Sequence, residues 1–263
     1  MSFVIVLFVF ILGACIGSFL NVCIYRIPAE MSISIPRSQC GYCKTPLKPY
    51  DMVPVLSYFI LGGKCRACRA PFSIRYSLVE MFTGLMFVLS FYKFGYSPTT
   101  LFVFFFISLM IVVFFIDLDH MIIPNRLVLI GLIGGIGVTV FQLFYPYPVY
   151  TSPSYWNGIL GMFVGGGVLF AIAEISSFFY GGKAGLGMGD VKIFLVIGLF
   201  LGWKLTLLTM WFSFVLGGVV GLFLILVLKM DRKMAIPFGP FIVLGSIISL
   251  FYGSEIIAFM LYR

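Results

Sequence analysis

Long apolar runs dominate the hydrophobic pattern of this chain. The runs cover residues 3–22, 77–93, 100–116, 127–144, 156–179, 191–203, 205–228 and 239–260. A helix needs roughly 20 apolar residues to cross a hydrocarbon core about 30 Å thick. Run 191–203 is short and its neighbour 205–228 is long, so we expect one of these two to be tilted or broken. The pattern predicts an all-α fold, a polytopic transmembrane helical bundle of about eight spans.

The composition agrees with a membrane protein. The chain has 263 residues, of which 62% are hydrophobic and 10% are charged. A soluble domain has about 25% charged residues, so this chain has too few to cover a surface that faces water. A transmembrane barrel is disfavoured because the runs are continuous rather than alternating. Basic residues follow run 3–22 instead of preceding it, so we interpret this run as a retained helix and not as a signal peptide.

The charge distribution predicts the orientation. The sequence contains 17 Lys and Arg against nine Asp and Glu, and eight of the 17 lie between Arg26 and Arg75. Most of the others stand at the ends of apolar runs, which follows the positive-inside rule. We therefore expect an N-terminus outside, a cytoplasmic loop at 25–75 and membrane lipid around the bundle. We expect no nucleic-acid partner.

The polar segment 25–75 contains two C-x-x-C pairs. Cys40 and Cys43 form the first and Cys65 and Cys68 form the second, with 21 residues between them. Four thiolates about 2.3 Å from one ion can close a tetrahedral structural zinc site, and the ion would supply folding free energy to a loop too small for its own core. The alternatives are two disulfides or a redox pair. Because a cytoplasmic loop is kept reduced, we favour zinc.

Acidic residues mark the ends of two spans. Asp117 and Asp119 follow the third apolar run, together with the only histidine, His120, and Asp190 precedes the sixth run. The predicted threading places Asp117 and Asp190 at the same cytoplasmic depth, although they are 73 residues apart. Carboxylates near membrane depth are functional candidates. The alternative is that these residues are hydrated and cap helices, and Asp190 taken alone is an ordinary N-cap.

Glycines precede the second candidate acid. Gly185, Gly187 and Gly189 alternate with other residues just before Asp190 in "GLGMGDVK". Glycine leaves little bulk and permits positive φ, so we expect a close approach of this backbone to another helix or to a substrate strand. Two carboxylates that share one proton can activate a water and protonate a leaving group. The pair Asp117 and Asp190 therefore predicts aspartic-protease chemistry.

Other acids and other catalytic motifs add little. Glu80 and Glu174 lie within spans, where we expect Glu174 to be buried and assign no role to either. One histidine cannot supply an H-E-x-x-H metalloprotease site, and the sequence has no G-x-S-x-G elbow and no P-loop.

Five segments, in order, resemble the type IV prepilin leader peptidases, which are bacterial membrane aspartic peptidases with a G-x-G-D signature. The segments are "GSFLNVCIYRIP" (17–28), the two-knuckle stretch 36–80, "IDLDHMIIPN" (116–125), "GMGDVK" (187–192) and "IPFGPF" (236–241). The resemblance implies that Asp117 and Asp190 are the catalytic pair, with Asp119 as the alternative for the first. Archaeal preflagellin peptidases, also similar here, keep an acid at the distance of Asp117 from Pro124.

The resemblance also implies an activity. Family members cleave a short basic leader from type IV prepilins and related pseudopilins at the cytoplasmic face of the bacterial cytoplasmic membrane. Many then methylate the new N-terminus with S-adenosylmethionine. The corresponding domains here would be a first transmembrane helix at 1–24, a cytoplasmic four-cysteine domain at 25–75 and a transmembrane aspartic peptidase domain at 76–263.

Two other classes of protein compete with a peptidase. A proton-coupled transporter would use intramembrane carboxylates as relays. Against it, the sequence shows no inverted repeat of broken spans, and the acids cluster at one face instead of the midplane. A zinc-dependent scaffold would explain the cysteines but would leave Asp117 and Asp190 without a role.

Overall fold

The computed structural model describes residues 3–152, 154–179, 187–229 and 236–261, and the regular elements in this part of the chain are helices. The α-helices are α1 (Phe3–Arg26), α2 (Leu56–Ile60), α3 (Arg75–Phe94), α4 (Pro98–His120), α5 (Asn125–Gln142), α6 (Asn157–Phe179), α7 (Met188–Leu226) and α8 (Gly239–Leu261). Among the described residues, seven of these helices, all but α2, are long and apolar enough to cross a membrane. The predicted all-α membrane bundle is confirmed.

The 39-residue helix α7 consists of two helical parts. Gly202 has φ 74° and ψ 169°, which is not helical. A side chain at Gly165 of α6 would lie 2.8 Å from both the Phe194 carbonyl oxygen and the Thr206 Cγ2. In a continuous helix, which rises about 1.5 Å per residue, Phe194 and Thr206 would be about 18 Å apart. The chain therefore reverses near Gly202, and its second part returns beside the first.

This reversal agrees with the division between runs 191–203 and 205–228 that the sequence predicts. The first part of α7, 188–201, is short, and the second part, 203–226, is long. Counted as two, the parts of α7 give eight apolar helical segments among the described residues, whereas seven whole helices are long and apolar enough to be candidate spans. The short part begins at the motif that contains Asp190.

Small residues allow the helices of this region to approach closely. A Cβ on Gly161 of α6 would overlap the Gly198 carbonyl oxygen, and one on Gly245 of α8 would lie 2.8 Å from the Thr209 carbonyl oxygen. Helix association in membranes relies on such close packing, because lipid tails are as apolar as the side chains. Each contact places α7 against a neighbour at a distance that only glycine permits.

The chain divides into two compact units, Met1–Val112 and Val113–Arg263. In the first unit, α1 packs on α3, and a Cβ on Gly17 would lie 2.7 Å from the Glu80 Cα. The rings of Phe87 and Phe104 stack with their centroids 3.9 Å apart. In the second unit, α5, α6 and α8 all pack against α7.

We expect Gly202→Ala to lower the melting temperature of the detergent-solubilised protein. Alanine in this backbone conformation costs about 1–3 kcal/mol, and its Cβ would lie 3.1 Å from the Tyr150 ring. Thermal unfolding of Gly202→Ala and of the matched variant Gly218→Ala measures the effect. Gly218 lies in the same helix with no atom within 4 Å of an added Cβ, so its melting temperature should not fall. Equal melting temperatures for the two variants would contradict the reversal.

Candidate active site and metal centre

Asp117 lies in the last turn of α4 and is 5% exposed. Its Oδ2 accepts a hydrogen bond of 2.7 Å from the backbone N–H of Gly239, the first residue of α8. The first N–H groups of a helix have no partner within the helix, so a carboxylate from another helix is a suitable acceptor. A Cβ on Gly239 would lie 2.6 Å from this Oδ2. Gly239 is therefore required for the hydrogen bond, and the sequence analysis missed this role.

Asp190 lies in the first turn of α7 and is 9% exposed. The helix begins at Met188, and Gly187 is its N-cap residue. The backbone N–H of Asp190 donates to the Gly187 carbonyl at 3.0 Å, and the Asp190 carboxylate in turn accepts from the Gly187 backbone. The interpretation of Asp190 as an N-cap is therefore wrong, because this residue lies three positions inside the helix and reaches back to the cap.

Different contacts explain why the motif has glycine at each of its two positions. Gly187 has φ −71°, which any residue adopts, so it does not need the left-handed freedom of glycine. A Cβ there would instead lie 3.2 Å from the Asp190 Oδ2, in the space that the carboxylate uses. At Gly189, a Cβ would lie 3.1 Å from the Ile123 Cβ. The close approach is present at both positions, and Gly185 lies outside the described residues.

The segments 116–125 and 187–192 lie together in the second unit. Besides the contact between Gly189 and Ile123, the Lys192 Nζ donates a hydrogen bond of 2.9 Å to the Asn125 Oδ1. Asp117 and Asp190 are close enough for the charge of one to act on the other. By contrast, Asp119 is exposed at the end of α4. This arrangement favours Asp117 over Asp119 as the partner of Asp190.

The two C-x-x-C pairs form turns of the same shape. In the first turn, the Cys40 N–H donates to the Thr45 carbonyl at 2.9 Å, and Lys44 has a positive φ of 58°. In the second, the Cys65 N–H donates to the Ala70 carbonyl at 2.8 Å. The backbone therefore presents both pairs of thiols in the same way.

The four thiols lie at distances that suit one metal ion. All of the Sγ atoms lie within 4.8 Å of one another, with Cys40 and Cys68 at 3.8 Å and Cys43 and Cys65 at 4.0 Å. Four sulfurs around a tetrahedral ion at about 2.3 Å are separated by about 3.8 Å. A disulfide would require about 2.05 Å, and these cysteines are free. Hydrogen bonds from the side chain and backbone of Thr45 lower the pKa of Cys43 to about 6, which favours the thiolate that binds metal.

Two charged residues that the sequence analysis left without a role hold the Cys-rich loop. Glu80 of α3 accepts a hydrogen bond of 2.7 Å from the Val55 N–H, and Val55 has a positive φ of 63°. Arg26, at the end of α1, is buried and donates to the Ser32 carbonyl at 2.9 Å and to the Pro36 carbonyl at 2.7 Å. Both side chains therefore attach the loop to the helices that begin and end it.

The exposure of Glu174 differs from the prediction. The sequence analysis expects this residue to be buried, but it is exposed on the surface of α6. Because α6 is apolar on all faces, its sequence has no periodicity to indicate which face packs inside.

A helical membrane protein in which two helix ends bring a pair of buried carboxylates together has the layout of an intramembrane aspartic peptidase. Comparison with protein families identifies the particular family within this class. Residues 104–222 match the type IV leader peptidase family, and residues 11–94 match the bacterial peptidase A24 N-terminal domain. The chain belongs to the type IV leader peptidase family.

Individual relatives match over nearly the whole chain. A prepilin leader peptidase/N-methyltransferase of Bacillus subtilis (strain 168) is 34% identical over 252 residues, which cover 95% of each chain. The protein of the same name in Pseudomonas putida is 31% identical and covers 94% of this chain and 91% of the relative. No solved structure matches the chain. None of these relatives supports the transporter hypothesis.

We expect the purified chain to contain about one metal ion, because four cysteine thiolates complete a tetrahedral site. The double variant Cys65→Ser, Cys68→Ser removes one whole pair and should contain almost none. Elemental analysis by mass spectrometry measures the content. Cys15→Ser is the matched control, because Cys15 lies in α1 outside the cluster. Equal metal content in the double variant and the control would exclude this metal centre.

Proposed function

We propose that the chain cleaves the short basic leader peptide from type IV prepilins and pseudopilins with Asp117 and Asp190. We further propose that it methylates the new N-terminus with S-adenosylmethionine as the methyl donor. The observation that carries the cleavage is the meeting of these two carboxylates at neighbouring helix ends in a chain of this family. The methylation is supported by the names of relatives that cover more than nine-tenths of the chain.

The proposed cleavage needs one ionised and one protonated carboxylate. The ionised aspartate takes a proton from water, and the water oxygen attacks the scissile carbonyl. The protonated aspartate donates to the leaving amine, which separates the leader from the mature protein. Backbone groups of Gly239 and Gly187 hold the two carboxylates, so both are oriented before substrate binds.

The proposed setting is the bacterial cytoplasmic membrane. The loop 25–75 and both aspartates would lie on the cytoplasmic side, with the N-terminus outside, and the eight basic residues from Arg26 to Arg75 support this orientation. A precursor with its apolar helix in the lipid and its leader in the cytoplasm would present the scissile bond at the depth of the two aspartates. We retain 1–24, 25–75 and 76–263 as its first helix, four-cysteine domain and peptidase domain.

We propose zinc as the ion at the four-cysteine centre. Separations of 3.8 and 4.0 Å between sulfurs support a closed tetrahedral site, which has no open position for a substrate. Zinc would therefore be structural and would stabilise the loop that Arg26 and Glu80 attach to α1 and α3. S-adenosylmethionine would be consumed as a second substrate of the methylation.

We expect Asp117→Asn and Asp190→Asn each to reduce cleavage by about 10²–10⁴-fold, because each removes a general acid or base. Asp119→Asn should cleave at nearly the parent rate, since this residue is exposed at the helix end. A synthetic precursor incubated with each solubilised variant reports cleavage as a mobility shift, and product mass reports the added methyl group. Cleavage at the parent rate by folded Asp190→Asn would refute the proposal.

We expect Gly239→Ala to lower the cleavage rate about 10- to 100-fold, because an added Cβ would displace the Asp117 carboxylate from its position. The rate and the melting temperature are measured together, so that lost folding is separated from a displaced carboxylate. Gly218→Ala, with open space around its Cβ, is the matched control and should retain the parent rate. If both variants cleave equally well, Gly239 does not position Asp117.

A further inference from the structure

The short helix α2 in the Cys-rich loop has an exposed apolar face. Leu56, Phe59 and Ile60 follow the i, i+3, i+4 spacing of one helix face and are 59%, 65% and 77% exposed. Removing apolar surface from water is favourable, so a cluster of exposed apolar side chains indicates an interaction surface. We call these three side chains the apolar face of α2.

The rest of α2 packs inside the loop. A Cβ on Gly63 would lie 2.9 Å from the Tyr58 ring, so this tyrosine is turned toward the turn that follows the helix. Leu61, the next residue after α2, lines a cavity of the loop together with Phe72. These contacts fix the rotation of α2 and leave its apolar face pointing outward.

Two hydrogen bonds fix the level of α2 along α3. Before α2, the Val55 N–H donates to the Glu80 carboxylate at 2.7 Å, which places Val55 beside the second turn of α3. After α2, the Phe72 N–H donates to the Gly63 carbonyl at 2.7 Å, and Phe72 comes three residues before α3 begins. The helix α2 therefore lies beside the beginning of α3, between the levels of residues 72 and 80.

This level is the edge of the membrane. The apolar run of α3 begins at residue 77, and Glu80 lies about 7.5 Å beyond Arg75 at about 1.5 Å per residue. Interfacial helices bury their apolar face about 5–10 Å into the boundary between headgroups and acyl chains. The level of α2 matches this depth, so lipid is the apolar phase that its exposed face can reach.

The charge around α2 identifies the kind of lipid. Lys48, Lys64 and Arg69 are exposed in the same loop, and Lys64 comes four residues after Ile60. The segment 25–75 contains eight Lys and Arg against two Asp and Glu. Basic side chains near a membrane surface attract anionic headgroups. A leaflet that contains anionic phospholipid therefore complements an apolar face bordered by cations.

We propose that the apolar face of α2 inserts among the acyl chains of the adjacent leaflet, and that the neighbouring Lys and Arg bind anionic phospholipid headgroups. The Cys-rich loop then lies on the membrane surface instead of extending into water. This docking involves neither aspartate, so it holds whether or not the chain cleaves a precursor.

The test uses the full-length chain in vesicles of phosphatidylglycerol and phosphatidylcholine. The photo-reactive amino acid benzoylphenylalanine replaces Ile60 in one variant and Tyr58 in another. Mass spectrometry of the illuminated samples should find lipid adducts at position 60 and adducts within the protein at position 58, because Tyr58 packs against Gly63. Leu85, exposed in the middle of α3, is the positive control for lipid. Adducts of position 60 with a second copy of the chain, or an absence of lipid adducts there, would overturn the docking.

The headgroup preference is tested in the same vesicles. Phosphatidylglycerol adducts at position 60 should exceed their share of the vesicle lipid about two- to fivefold. The double variant Lys64→Gln, Arg69→Gln should lose this excess and keep the lipid adducts, with an unchanged melting temperature. Lys93→Gln, at the other end of α3, is the matched control and should keep the excess. Adducts in proportion to the vesicle composition in the parent chain would refute the anionic preference.

Discussion

A buried carboxylate in a membrane protein needs hydrogen-bond donors, and in this chain the donors are backbone groups. Asp117 receives the first N–H of α8, and Asp190 is held by the backbone of Gly187 at the start of α7. Within a helix, only the N–H groups of the first turn are free, and each of the two acids lies where such a helix begins. This constraint places both acids at one end of the bundle and requires glycine at the points of contact.

The reversal of the chain at Gly202 determines which helix N-termini lie near each other. The first part of α7 begins at Met188, so Asp190 lies in the first turn of that part. The second part is long and returns beside the first, and α8 then begins next to Asp117. A single continuous helix of the same length would separate these elements. The arrangement of the helices around the candidate site therefore depends on one backbone conformation that only glycine adopts readily.

Much of this arrangement can be predicted from sequence, where the signal is local or periodic. Apolar runs predict the helices, loop charges predict that Asp117 and Asp190 share a depth, and cysteine spacing predicts the cluster. The role of Gly239 is not predictable in this way, because it joins residues 122 positions apart through a backbone N–H that every residue but proline has. The exposure of Glu174 is missed for a related reason, since a helix that is apolar all round does not reveal its inner face.

Both carboxylates and the backbone groups that hold them belong to residues 113–263, whereas the four cysteines belong to the other unit. Loops between helices tolerate insertion and deletion far better than packed helices do. The cysteine-rich segment between α1 and α3 is therefore a position where changes in length are tolerated better than in the packed helices that carry the two aspartates.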